Sequence, residues 1–121
     1  MIPNFIRLNS STRHDRHTVI AHAREAISKS GGWILDFKMF SNVSINIVFQ
    51  MALSDVGKLA QAFEQVEIKL YPESIVALDG FVQMSKELPR EKLEAEIFGT
   101  LQITFIHKDK DLKIIVPSVP G

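Results

Sequence analysis

Residues 15–36 read DRHTVIAHAREAISKSGGWILD, from Asp15 to Asp36. The stretch passes from a charged loop through an amphipathic helix and a double glycine into a strand. Ile20, Ala23, Ala26 and Ile27 recur at spacings of three and four, so they lie close to one helical face. Thr18 stands where an N-cap hydroxyl takes a free backbone N–H. Gly31 and Gly32 stand where a left-handed cap ends a helix. A helix is therefore predicted from about Val19 to Ser30. A weakly alternating strand from Ile2 to Asn9 precedes it, with Pro3 suited only to a strand start or edge. A polar loop, Ser10 to Thr18, links the two.

Two strands follow by pattern. Leu35, Phe37 and Met39 alternate with Asp36 and Lys38, and Val43, Ile45, Ile47, Phe49 and Met51 alternate with Ser44, Asn46, Val48 and Gln50. Adjacent runs of period two, joined near Ser41-Asn42, predict an antiparallel hairpin with one apolar face. Ser54-Asp55 then reads as the cap of a second helix with Val56, Leu59, Ala60 and Phe63 on its stripe. The order strand, helix, strand, strand, helix needs one more strand to make a ferredoxin-like βαββαβ sandwich of the α+β class, with both helices on one face of the sheet. Either the run near Ile75 or the one at Leu101 fits that fourth core strand. Pro89 reads as the opening of a third helix, Pro89 to Phe98, stopped by Gly99. Leu101–Phe105 and Leu112–Val116, joined by Lys108 to Asp111, read as a hairpin. The expectation is a single domain over residues 1–121, with a core over about 1–80 and an added C-terminal helix and hairpin over about 85–117.

Composition narrows the function classes. The 121 residues hold 14 Lys plus Arg and 14 Asp plus Glu, so no global field draws nucleic acid or anionic lipid. There is no cysteine, which removes disulfides, thiol nucleophiles and thiolate metal sites. No apolar run is long enough to span a bilayer, and no secretory signal is evident. A cytoplasmic protein without membrane or nucleic-acid partners is the expectation.

The Asp15–Asp36 stretch resembles the start of an ACT domain, whose sequences often read D-R-P-G-L-L, then a helix, then A-G-A-N-I-L-D. Asp15-Arg16 match the opening pair, Val19-Ile20 the apolar pair, and Gly31, Ile34, Leu35 and Asp36 the far end, without a gap. By order of elements the similarity covers about the first 67 residues. It implies a regulatory module that binds an amino acid or another small anion, working as a homodimer with ligands near the interface. Where the family has Pro-Gly, this chain has His17-Thr18, and a stiff, β-branched threonine narrows the approach of a ligand. The C-terminal helix and hairpin have no counterpart in a minimal ACT domain.

The loop Arg13-His14-Asp15-Arg16-His17 precedes a helix N-terminus, where free N–H groups and the dipole favour anions. Arg13 and Arg16 suit bidentate grip of a carboxylate or phosphate. Arg13, Asp15, Arg16, His17 and Thr18 are thus the expected ligand-binding residues, with Asn46 of a partner copy completing the site. His14, His17 and His22 with Asp15 raise a metal reading, but zinc-signature spacing is lacking, so no metal or cofactor is expected. No nucleophile elbow, Walker loop or dinucleotide loop is present, so no catalytic residue is assigned. Two alternatives stand beside the ligand-binding reading: a protein–protein assembly module, and an enzyme acting through His14 or His17 on the same scaffold. The RNA-recognition motif shares the element order and reads bases on aromatic rings of its exposed sheet face. Here the alternation puts Phe49 in the buried set and leaves Ser44, Asn46 and Gln50 on the exposed one. Trp33 is expected to be buried at the helix–strand corner, while Phe40 and Val48 interrupt the polar face.

Overall fold

The computed structural model describes residues 4–41 and 43–106. Strand β1 (Phe5–Thr12) leads into helix α1 (Arg16–Lys29), strands β2 (Trp33–Ser41) and β3 (Ser44–Ala52), and helix α2 (Val56–Phe63). A two-residue strand β4 (Lys69–Leu70), helix α3 (Pro72–Glu87) and strand β5 (Glu96–Phe105) complete the described chain. It is an α+β architecture with one five-stranded mixed sheet in the order β2-β3-β5-β1-β4. β5 runs parallel to β1 and antiparallel to β3.

Helix α1 starts three residues earlier than Thr18 suggests. Asp15 is its N-cap, and the stripe it buries is Val19, Ala23, Ala26 and Ile27, with Ile20 half-buried. Its end follows the glycine reading. Gly31 has φ 98°, its N–H donates to the Ser28 carbonyl, and the Gly32 N–H donates to the Ile27 carbonyl. Those two bonds form a Schellman cap.

β1 reaches past Asn9 into what reads as loop. Ser10 and Thr12 are buried there because their hydroxyls are satisfied: Ser10 Oγ donates to the Gln102 carbonyl at 2.9 Å and Thr12 Oγ1 to the Glu67 carbonyl at 2.5 Å. The hairpin β2–β3 forms, with Phe37 opposite Ile47 and Lys38 opposite Asn46. A register shift between Ile34 and Asp36 turns Leu35 outward, however. The half-buried residues of β2 are therefore Ile34 and Phe37, and Met39 is exposed.

The second half departs further from expectation. Pro72, not Pro89, opens the third helix; it sits in the first turn, and Ile75 lies inside that helix instead of a strand. Spacing explains this, since Ser74, Leu78 and Phe81 are buried at intervals of four and three. Pro89 leads only into a short 3-10 turn, Arg90–Lys92. Asp55 makes no side-chain cap at α2. Gly99 ends no helix: it is a buried residue of β5, paired with Phe49 of β3.

The Leu101–Phe105 run is thus β5, with both its edges taken by β1 and β3. No edge of it is left for a hairpin partner, and the rest of the expected hairpin, residues 108–116, lies outside the described residues. All three helices pack on one face of the sheet, over Ile6, Leu8, Ile45, Ile47, Phe49, Met51, Ile97, Leu101, Ile103 and Phe105. Among the described residues no helix is long and apolar enough to cross a membrane.

Gly99 is where β5 is most exacting. A Cβ there would lie 2.5 Å from the tip of the Phe49 ring and 2.9 Å from Ile6 Cγ2. On an unobstructed strand, alanine would gain roughly 0.5–1 kcal/mol over glycine. Overpacking of a filled core costs about 1–3 kcal/mol, so the clash outweighs that gain. Gly99→Ala is expected to lower the urea midpoint at an unchanged m-value, read by far-UV circular dichroism.

Candidate functional site

The helix mouth is closed by the chain's own carboxylate. Asp15 accepts from the Thr18 backbone N–H at 3.0 Å and from the Thr18 hydroxyl at 3.1 Å. The backbone bond first, then the hydroxyl, hold the Asp15 carboxyl below the usual aspartate range, helped by the nearby His17 charge. An anion is therefore already seated where the helix dipole favours one. Thr18 acts as the partner of this cap and not as an N-cap itself.

Arg16 is also engaged within the fold. Its guanidinium lies 5.0 Å from the centre of the Phe105 ring, and Nη2 approaches Met39 Sδ at 2.8 Å. It covers two apolar side chains at the end of the sheet, the long-chain covering role open to arginine. His17 is exposed on the first turn of α1. Asn46 is on the helix-free side of β3, beside Arg7, Asn9, Phe40, Thr100 and Gln102. The six expected ligand-binding residues do not converge within one copy.

Arg13 does find company. With His14 and Lys69 it lines a concavity of about 320 Å³ at the ends of β1 and β5, whose other walls are Ser11, Thr12, Glu67, Ile68 and Ile106. The His14 backbone N–H donates to Thr12 Oγ1 at 3.1 Å, which sets the course of the loop. Glu67 is gripped by His22, with Nδ1 at 2.9 and 3.0 Å from its two carboxylate oxygens. That hydrogen bond, then its own backbone N–H and the charges of His22 and His14, lower the Glu67 pKa. His22 is thereby committed to a carboxylate, and among the described residues no three His, Asp or Glu side chains gather to hold a metal ion.

Lys69 escapes a reading of the sequence because its neighbours are remote in the chain. Lys69 pairs with Ser11 in the sheet. A cation beside the turn at Tyr71-Pro72 carries no local signal of a site.

The helix-free face also differs from what the alternation predicts. Pairing places Phe5, Phe98, Gln50 and Trp33 in one row across four strands. Phe40 stands on the same side, next to Asn46. The exposed face therefore does carry aromatic rings, and Trp33 is not buried. Phe49 faces the helices, as its place in the alternation required.

Compared with known proteins, the chain matches no family model, no curated protein and no solved structure.

The two depressed carboxyls give pH-dependent outcomes. Their contributions are complete above the ordinary carboxylate values, about 3.9 for aspartate and 4.3 for glutamate, and fade as pH falls through the lower folded values. Asp15→Ala should melt below the parent protein at pH 7, with the gap closing in acid, as followed by calorimetry from pH 7 to 2.5. In His22→Ala, the Glu67 pKa read by carboxyl NMR should rise toward the ordinary glutamate value.

Proposed function

We propose that the chain is a small-ligand-binding regulatory module on a ferredoxin-like, ACT-type scaffold, taking an amino-acid-type ligand or another small anion in the concavity beside Arg13. The observation that carries this reading is the grouping of Arg13, His14 and Lys69 around one concavity. Its volume falls within the range of small-molecule sites, roughly 300–1,000 Å³. An arginine offers a fork that fits a carboxylate or phosphate edge-on, and a lysine adds a mobile point charge. Glu67 on the same wall suits the ammonium of an amino acid.

The scaffold part rests on strand order. Leaving out β5, the sequence β4-β1-β3-β2 is that of a ferredoxin-like sheet, and the chain enters it through the ACT-like stretch Asp15–Asp36. In this reading β5 is an insertion between β1 and β3. The ligand is moved off the helix mouth, which Asp15 fills, to the neighbouring concavity.

Thermal-shift measurement against the common amino acids and inorganic phosphate at millimolar concentration tests the proposal. A ligand at ten times its Kd adds about 1.4 kcal/mol, which raises the melting temperature by roughly 3–8 °C for a domain of this size. Arg13→Ala and Lys69→Ala should each abolish the shift without lowering the ligand-free melting temperature by more than about 1–2 °C, since exposed charges contribute little to stability. A panel in which no compound moves the transition ends the amino-acid reading.

A further inference from the structure

The helices leave one face of the sheet bare, and four exposed aromatic side chains stand on it among the polar Arg7, Asn9, Asn46, Thr100 and Gln102. Phe5, Phe98 and Trp33 share a row, at 45%, 39% and 52% exposure, and Phe40 further along is 60% exposed. Phe5 and Phe98 are cross-strand neighbours and Trp33 lies beyond Gln50 in the same row. Single apolar residues on a surface need no partner, but several exposed aromatic rings on one sheet face mark a contact surface. We propose that a second copy of this chain covers the helix-free face, the two sheets packing face to face about a two-fold axis.

Three features select this occupant. The first is size. β1, β2, β3 and β5 have eight to ten residues each. At about 4.8 Å between strands and about 3.3 Å per residue they span roughly 19 by 30 Å. Two such faces bury on the order of 1,100 Å² before side-chain relief is counted, which clears the roughly 1,000 Å² that a biological interface needs.

The second is charge. Arg7 and Lys38 on this face are balanced by Asp36 and Glu96, with Lys38 Nζ 3.9 Å from Asp36 and Gln50 bonded to Glu96. A face of zero net charge does not repel its own copy, and it lacks the cationic field that a phosphate backbone needs.

The third is the state of the edges. β2 is interrupted by register shifts between Ile34 and Asp36 and between Met39 and Ser41, and β4 is only two residues long. Bulges and short edge strands block strand-to-strand addition. Self-association is thereby directed to the face.

This inference is independent of the ligand reading. Phe5 begins β1 and Arg13 follows its end, so substitutions in the aromatic row and at the concavity report separately. Sedimentation velocity of the full chain from about 1 to 300 µM is expected to show a species of twice the 13.7 kDa chain mass. Trp33→Ser and Phe98→Glu should each raise the dimer Kd at least about thirtyfold, as loss of an aromatic anchor does. Arg13→Ala and Val76→Glu, the latter on the exposed side of α3, should leave it unchanged. Trp33 is the only tryptophan in the chain, so its quenching by acrylamide should fall as concentration rises. Should Phe98→Glu fail to fold by far-UV circular dichroism, Trp33→Ser decides. The proposal is overturned by a monomer at every concentration, by a dimer that both face variants leave intact, or by one that Val76→Glu weakens equally. A monomer whose Trp33 is shielded throughout would mean that another segment of the same chain lies on the face, and that too overturns it.

Discussion

β5 holds the two halves of the sheet together. One half is the hairpin β2–β3, and the other is β1 with the short β4. Among the described strands they touch only through β5, which bonds to β1 along Phe5–Thr12 and to β3 along Ser44–Ala52. Its helix-side residues Ile97, Leu101, Ile103 and Phe105 are buried in the centre of the core. Gly99 leaves room in that row for the Phe49 ring to cross. The remaining packing follows from this fit: a side chain at position 99 would push Phe49 toward the helices or lift β5 from the sheet.

How much of this was legible depends on how local the cause is. Helix α1 and its end could be read because cap, stripe and glycine pair all lie within the stretch from Asp15 to Gly32. The hairpin β2–β3 could be read because its alternation and its turn are contiguous. The place of β5 could not, since nothing within Leu101–Phe105 tells an edge strand from a central one; its partners lie some ninety positions earlier in β1 and roughly fifty earlier in β3. Pro72 and Pro89 carry the same helix-start signal, and only the burial of Leu78 and Phe81 against the sheet separates them. Leu35 shows a finer limit, because one bulge moves it to the opposite side from Phe37 while the written alternation stays perfect.

The candidate site was legible in part, and for a related reason. The basic loop before α1 is visible as a run of residues, but the run does not act as a unit. Asp15 turns back to Thr18, Arg16 lies over Phe105, and Arg13 faces Lys69 from another part of the chain. A charged side chain next to a helix start has several ways to satisfy itself, and the fold divides the loop among them. The aromatic row of the bare face is equally scattered in sequence, with members from β1, β2 and β5.

The position of β5 has a consequence for how the protein is made. The strand that joins the halves is the last described element to leave the ribosome. Until residue 105 has emerged, the backbone donors and acceptors of β1 and β3 that β5 satisfies lack that partner. Contacts over such sequence separations are slow to form because loop closure precedes their reward. The sheet can therefore close only once residue 105 has been made, and for that interval β1 and β3 stand open to any extended peptide that can take the place of β5.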